Sequence, residues 1–409
     1  MTLLLVRYPE EDGGYFSAAA ALWAERCNAT VMQSEVVSSH FSDSVKEFPT
    51  QDGCLAHAGW LWVDRFRPNV PSWPFSDEAI LARAATCGHV VVPFMSCDMS
   101  WAAALQRRAI SAGTDCTIAT ARFLGESLFL QMEEGEDHHI GLRDASGRVF
   151  PIPDSGKTAG PRRGKKLTIV VTGDERHHRH RNPATLCALG DAADHLDLTL
   201  DISFLSDKAL SCHGAAACLD AASGVVLPGG DIANAATQMI IADHCLRAGI
   251  PVVGLCLGMQ SMITAVVRQY PSYTGADLAE RAPNAPFLSF VPISGADGGI
   301  RRRVGAQALR ACASSTFGRA LESAPVIRSN HRYRLNPALL PDLEQMGVKI
   351  AATDPSGDII EAIELPAHPH FKGMQGHPEC VSTAERPHPA LLDFLQSTSA
   401  YAETKKATT

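Results

Sequence analysis

The stretch IPVVGLCLGMQSMITAVVRQ, residues 250–269, decides the fold. Its first half is a short run of apolar and β-branched residues, the signature of a strand buried on both faces. Its second half is apolar at helical spacing. Cys256 stands at the junction, with Gly254 two residues before it and Gly258 two residues after. Glycines at these places permit a tight strand-to-helix turn, because no Cβ stands where the two backbones meet. Such a turn lifts the Cys256 side chain off the end of a sheet. It also aims the N-terminus of the following helix at the sulfur, which favours a thiolate. The backbone N–H of Leu257 is then placed to donate to a developing oxyanion.

Strand-like and helical segments alternate on the N-terminal side of this stretch. KLTIVVTG (166–173), LDISFL (200–205) and SGVVLPGG (223–230) read as strands, and ANAATQMIIADHCLRAG (233–249) as a helix. The alternation predicts a doubly wound α/β domain over 167–396. In the first part, TLLLVRY (2–8), TVMQSEVV (30–37) and HVVVPFM (89–95) read as strands. YFSAAAALWAERC (15–27) and SWAAALQRRAISAG (100–113) read as helices, which predicts a smaller α/β domain over 1–153. WLWVDRFRPNVPSWPF (60–75) reads as a packed irregular loop. DSGKTAGPRRGKK (154–166) reads as a linker, and 397–409 as a flexible polar tail.

Composition sets the outer limits. A chain of 409 residues suggests two domains. With 45% apolar residues, 20% charged residues and a net charge of −8, it is an ordinary globular chain rather than a general nucleic-acid binder. Its 12 cysteines form no CxxC pair, so neither a zinc ribbon nor a disulfide scaffold fits. The apolar N-terminal run stops at Arg7, and no stretch is long enough to span a membrane, so a cytoplasmic protein is expected. No cofactor and no metal site are expected. The histidines of ERHHRHR (175–181) are interleaved with arginines and read as a solvated loop or an anion-binding edge.

A nucleophilic cysteine needs a base, and the base needs a group to orient it. MQGHPEC (374–380) supplies both: His377 and Glu379 lie two apart and share a face if the segment is a strand. LPGGD (227–231) ends a strand in two glycines, and Gly230 is the candidate for the second oxyanion donor beside Leu257.

Taken together, GLCLGMQ around Cys256, RRRVGAQ (301–307), NHRYRLN (330–336), EAIELPAHPHF (361–371) and QGHPE (375–379) resemble the class I, triad-type glutamine amidotransferases. Within these, the chain is most similar to the glutaminase domain of CTP synthases, over about 166–396. The resemblance implies that Cys256, His377 and Glu379 cleave a side-chain carboxamide through a γ-glutamyl thioester. It places Gly229, Asp231, Gln260, Ser289, Arg332 and Gly376 around the amino-acid part of the substrate.

Three of these positions depart from the family. Asp231 replaces an aromatic residue, Ser289 stands where a glutamate is implied to bind the α-ammonium, and Gly376 replaces a phenylalanine. The departures leave two substrates open: free glutamine, with Asp231 compensating for Ser289, or a larger γ-glutamyl amide admitted by Gly376. The first 150 residues lack a phosphate loop, and the GKT at 156–158 has Pro151 where the motif needs glycine. The chain is therefore not expected to make CTP by itself. The expected products are ammonia or an amine. The alternatives are transfer of the nitrogen to an acceptor on the N-terminal domain or a partner, and a non-catalytic regulatory homologue. A homo-oligomer is compatible with all of these.

Overall fold

The computed structural model describes residues 3–9, 12–40, 48–68, 70–86, 88–133, 135–152, 164–295 and 298–408. The chain separates into two compact units, Met1–Pro161 with Arg176–Cys187, and Arg162–Glu175 with Ala188–Thr409. Most of the expected linker, with its GKT, lies outside the described residues.

The first unit is built on a seven-stranded sheet. Strands β1 (Leu3–Tyr8), β2 (Thr30–Val31), β3 (Val90–Met95) and β4 (Cys116–Leu124) form its parallel half, in the spatial order β2-β3-β1-β4. Strands β5 (Ser127–Met132), β6 (Asp137–Arg143) and β7 (Val149–Pro151) extend it as an antiparallel meander. The fully buried run Leu3–Val6 is what the central position of β1 demands. Helices α1 (Ala18–Cys27) and α2 (Met99–Ser111) follow β1 and β3.

Two expectations are corrected in this unit. The strand expected over 30–37 ends at Val31, because the Ser34 hydroxyl accepts the Val36 N–H and opens a helix at Glu35–His40. The segment expected to be irregular at 60–75 contains a helix at Leu61–Phe66. Trp62 there is fully buried and donates its indole N–H to the Gly14 carbonyl at 2.8 Å.

The basic run is not a solvated loop either. His177–Arg181 form a π-helical turn that belongs to the first unit. Gly14 N–H donates to the His180 carbonyl, and Arg176 and Arg181 both pair with Asp12.

The second unit carries an eight-stranded sheet. Strands β8 (Lys165–Thr172), β9 (Leu198–Leu205), β10 (Gly224–Leu227) and β11 (Val252–Leu255) lead into two later pairs. These are β12 (Arg310–Ala311) with β13 (Lys349–Thr353), and β14 (Ile360–Glu364) with β15 (Phe371–Met374). The spatial order is β9-β8-β10-β11-β15-β14-β13-β12, parallel through β15 and antiparallel beyond it.

Helices α3 (Ala184–His195), α4 (Asp207–Leu219), α5 (Ala235–Ala248) and α6 (Leu257–Val267) make the crossovers. Every residue of α6 is buried, which suits a helix that is apolar on all sides. The expected flexible tail is instead the end of α7 (Pro389–Thr408). Thr398 is fully buried against Gly224, and Lys165 on β8 bonds Ser399 and Glu403, so the polar residues have partners along the helix. Among the described residues, no helix is long and apolar enough to cross a membrane.

Candidate active site

Register brings three loops together. Leu227 of β10 pairs with Gly254 of β11, and Leu255 of β11 pairs with Met374 of β15. The segments that follow these strands, Pro228–Asp231, Cys256 and Gln375–Glu379, therefore leave the same edge side by side. This is the carboxyl edge of a parallel sheet, where α/β folds place their ligands.

Cys256 joins β11 directly to α6 with φ +52° and ψ −106°. A non-glycine residue is rarely found there and is strained, so the surroundings must hold it. They do so through Cys256 N–H donating to the Met374 carbonyl at 2.8 Å and the Cys256 carbonyl accepting Gln260 N–H at 3.2 Å. The flanking glycines are needed for closeness. A Cβ on Gly258 would lie 1.9 Å from the Leu227 carbonyl oxygen, which is backbone and cannot swing away. Cys256 as a residue is 8% exposed, at the helix N-terminus.

His377 Nδ1 and Glu379 Oε1 are 2.8 Å apart. The pair is not made by strand alternation, as the sequence reading had it. β15 ends at Met374, and His377 caps a 3-10 turn, Pro378–Cys380, that curls Glu379 back to the ring. Burial opposes a charge on His377, but the Glu379 carboxylate and the Cys256 sulfur outweigh it. The pKa therefore stands well above the ordinary histidine value.

Gly229 abuts both groups. A Cβ there would meet His377 Cε1 at 2.9 Å and Cys256 Cβ at 3.3 Å. Gly230 has φ +138° and faces open space. The loop is braced by Gln238, whose amide donates to the Pro228 carbonyl at 2.8 Å while its oxygen accepts from Ser261 Oγ of α6 at 3.0 Å.

The proposed substrate wall is assembled only in part. Gln260 is buried one turn into α6. Asp231 is exposed and uses one oxygen to cap Ala233 N–H. Arg332 is about half exposed and pairs with Glu280 at 2.9 Å.

At two expected wall positions the protein itself takes the side-chain space. Ser289 is fully buried, and its hydroxyl is engaged by Thr264 Oγ1 of α6 at 2.7 Å and the Asp277 carbonyl at 3.1 Å. It therefore presents nothing to a ligand. Gly376 opens no extra room, since its Cβ direction runs into Ile327 Cγ1 at 2.4 Å and the Arg328 carbonyl at 2.8 Å.

The sequence reading missed several groups. Gln375, fully buried, turns its amide nitrogen toward Cys256 Sγ at 4.0 Å. Behind it, Arg303 bonds Glu361 at 2.5 Å and His331 Nε2 at 3.2 Å. Burial and Arg303 push the His331 pKa down to about 3, so that ring is neutral. Asp277, also buried, is held by Arg268 and Arg281. RRRVGAQ and QGHPE contain two of these residues, but nothing local in the sequence announces that they meet.

The chain is similar to known sequences and folds. The sequence pattern of the family "Glutamine amidotransferase class-I" matches residues 194–397. The chain carries a class I glutamine amidotransferase domain. A CTP synthase of Pelotomaculum thermopropionicum is 32% identical over 224 residues, 53% of this chain and 42% of that protein. One from Mycobacterium avium is 35% identical over 208 residues, 48% of this chain and 36% of that protein. The matched region thus spans less than half the length of these relatives. The Trypanosoma brucei CTPS glutaminase domain with bound acivicin shares the fold, with a TM-score of 0.53 and 23% identity, covering 57% of this chain and 94% of that one.

Proposed function

We propose that the second unit is a cysteine-dependent glutaminase that hydrolyses the side-chain amide of glutamine or a closely similar γ-glutamyl compound. The observation that carries this reading is the packing of Gly229, Cys256 and His377, with Glu379 bonded to the far side of the ring. The raised His377 pKa favours an imidazolium beside the Cys256 sulfur.

In this reading Cys256 Sγ attacks the carboxamide carbon, and the oxyanion lies between the N–H groups of Leu257 and Gly230. His377 gives its proton to the departing nitrogen, and ammonia leaves behind a thioester. The neutral ring then takes a proton from water as that water attacks the thioester, and returns it to sulfur as glutamate departs. Glu379 keeps the ring in one tautomer and supports its charge.

Free glutamine fits better than a larger amide, because the space at Gly376 is already filled. Arg332 would receive the α-carboxylate by exchanging Glu280, an exposed pair worth about 0–1 kcal/mol and so readily given up. Asp231 keeps one carboxylate oxygen beyond its cap for the α-ammonium.

The test is mass spectrometry of the full chain treated with a glutamine-like electrophile, beside a turnover panel of glutamine and γ-glutamyl amides. An adduct on Cys256 and ammonia release that vanish together in Cys256→Ala are expected. Intact Cys256 with every electrophile, and no amide turned over, would leave the non-catalytic reading.

A further inference from the structure

The turn that supplies the base also gathers a set of soft and borderline metal ligands. His377, Glu379 and Cys380 each place one donor atom within 4.8 Å of the other two, the only such group of three found among the described residues. All three are largely buried: Glu379 is 5% and Cys380 7% exposed, and the His377 side chain is 12% exposed. Because Nδ1 is the ring nitrogen facing Glu379, the three donors converge on that side of the imidazole.

We propose that these three residues form a zinc site on the Glu379 side of His377, and that filling it switches the enzyme off. Nitrogen, thiolate and carboxylate are the donors Zn2+ takes, at about 2.0–2.3 Å. Tetrahedral bonds of that length put donors about 3.5 Å apart, so the Nδ1–Oε1 contact of 2.8 Å must open to admit the ion while the separations of up to 4.8 Å in the set close by about 1 Å. A water molecule completes the shell.

The proton balance determines the effect. Zn2+ displaces the Cys380 thiol proton and the proton shared between Nδ1 and Glu379, and both are released to solvent. With the metal on Nδ1, the neutral ring carries its remaining proton on Nε2. Giving that proton to the departing nitrogen would leave a metal-bound imidazolate, and while the ring keeps the proton it cannot take one from the attacking water. Glu379 is drawn from the ring to the metal. The catalytic base is lost without any change at the sulfur.

Only the inhibition rests on the proposed glutaminase function; the metal binding does not. The experiment therefore has two readouts on the full chain. ZnCl2 is titrated in competition with a chromophoric chelator, and CoCl2 is added separately to look for a thiolate-to-cobalt charge-transfer band.

The wild type should bind one equivalent of Zn2+ and show the band. Cys380→Ser and Cys380→Ala should both lose the band. Their affinity should fall by more than the roughly 10–100-fold that loss of an outer-shell partner costs. Cys256→Ser should keep both signals, since its sulfur is on the other side of the ring. Glutamine turnover should be inhibited by Zn2+ in the wild type and resist it in Cys380→Ala.

Absence of stoichiometric Zn2+ in the wild type would overturn the proposal. So would undiminished affinity in both Cys380 variants, or loss of binding in Cys256→Ser. Zinc binding that depends on Cys380 in a protein that cleaves no amide would leave the metal site standing and refute the glutaminase reading.

Discussion

Gly229 offers the sharpest test of the geometry, because a single methyl there meets the site and little else. An added Cβ would sit 2.9 Å from His377 Cε1 and 3.3 Å from Cys256 Cβ, against 3.4–4 Å for ordinary contact. Gly229→Ala must therefore push the His377 ring aside by about 0.5–1 Å. The backbone of Gly229, unlike that of Gly230, is not in the positive-φ region, so alanine adds no strain there.

A misplacement of about 1 Å in a catalytic constellation costs about 100-fold in rate, which is about 2.7 kcal/mol of transition-state stabilisation. The added methyl also overpacks a largely buried ring and should lower stability by about 1–3 kcal/mol. The assay pairs steady-state glutamine hydrolysis with a urea melt. The expected result is a fall of about 100-fold in kcat, a lowered but still cooperative urea midpoint, and continued labelling of Cys256. Wild-type turnover by Gly229→Ala would refute the placement of His377 against the Pro228–Asp231 loop and the mechanism built on it.

Other perturbations reach different parts of the site. Glu379→Gln removes the main support for the imidazolium, so the His377 pKa should fall. The ring would then lose its proton at lower pH, and the alkaline limb of kcat for glutamine should move to lower pH, read from a pH–rate profile. Gly376→Ala should destabilise the unit by about 1–3 kcal/mol in a denaturant titration, through overpacking against Ile327 and the Arg328 carbonyl, without widening the range of amides turned over. Arg303→Met leaves the Glu361 carboxylate buried and unpaired and should cost about 3–5 kcal/mol by chemical denaturation. Much of this should return in Arg303→Met/Glu361→Leu, because the penalty lies in the unpaired charge.

What could be read from the sequence was whatever is decided within a few residues. The turn at Cys256 was legible because G-x-C-x-G falls where a β-branched run gives way to a helical one, and both requirements are local. Strands β10 and β11 of the second unit were legible because burial on both faces leaves an unbroken apolar run. The pairing of His377 with Glu379 was anticipated, but by the wrong geometry: a spacing of two fits strand alternation, and also a turn opened by Pro378.

The errors share a cause. Ser34, Trp62 and Thr398 sit in stretches whose composition reads as strand, loop and frayed tail. Their states are set by Val36, by the Gly14 carbonyl and by Gly224, the last of these 174 positions away in sequence. Ser289 and Gly376 were assigned to a ligand wall by their place in a motif, yet their neighbours are Thr264 and Ile327. A motif position fixes where the backbone runs, but the partners that occupy the space on either side of it decide what the side chain can touch. Gly376 shows the consequence for specificity. Deleting an aromatic ring widens a pocket only if nothing else fills the gap, and here Ile327 has filled it. In the proposed reading free glutamine is preferred over larger amides because Ile327 closes that gap, whereas Asp231 and Arg332 would bind the α-ammonium and α-carboxylate that both kinds of substrate share.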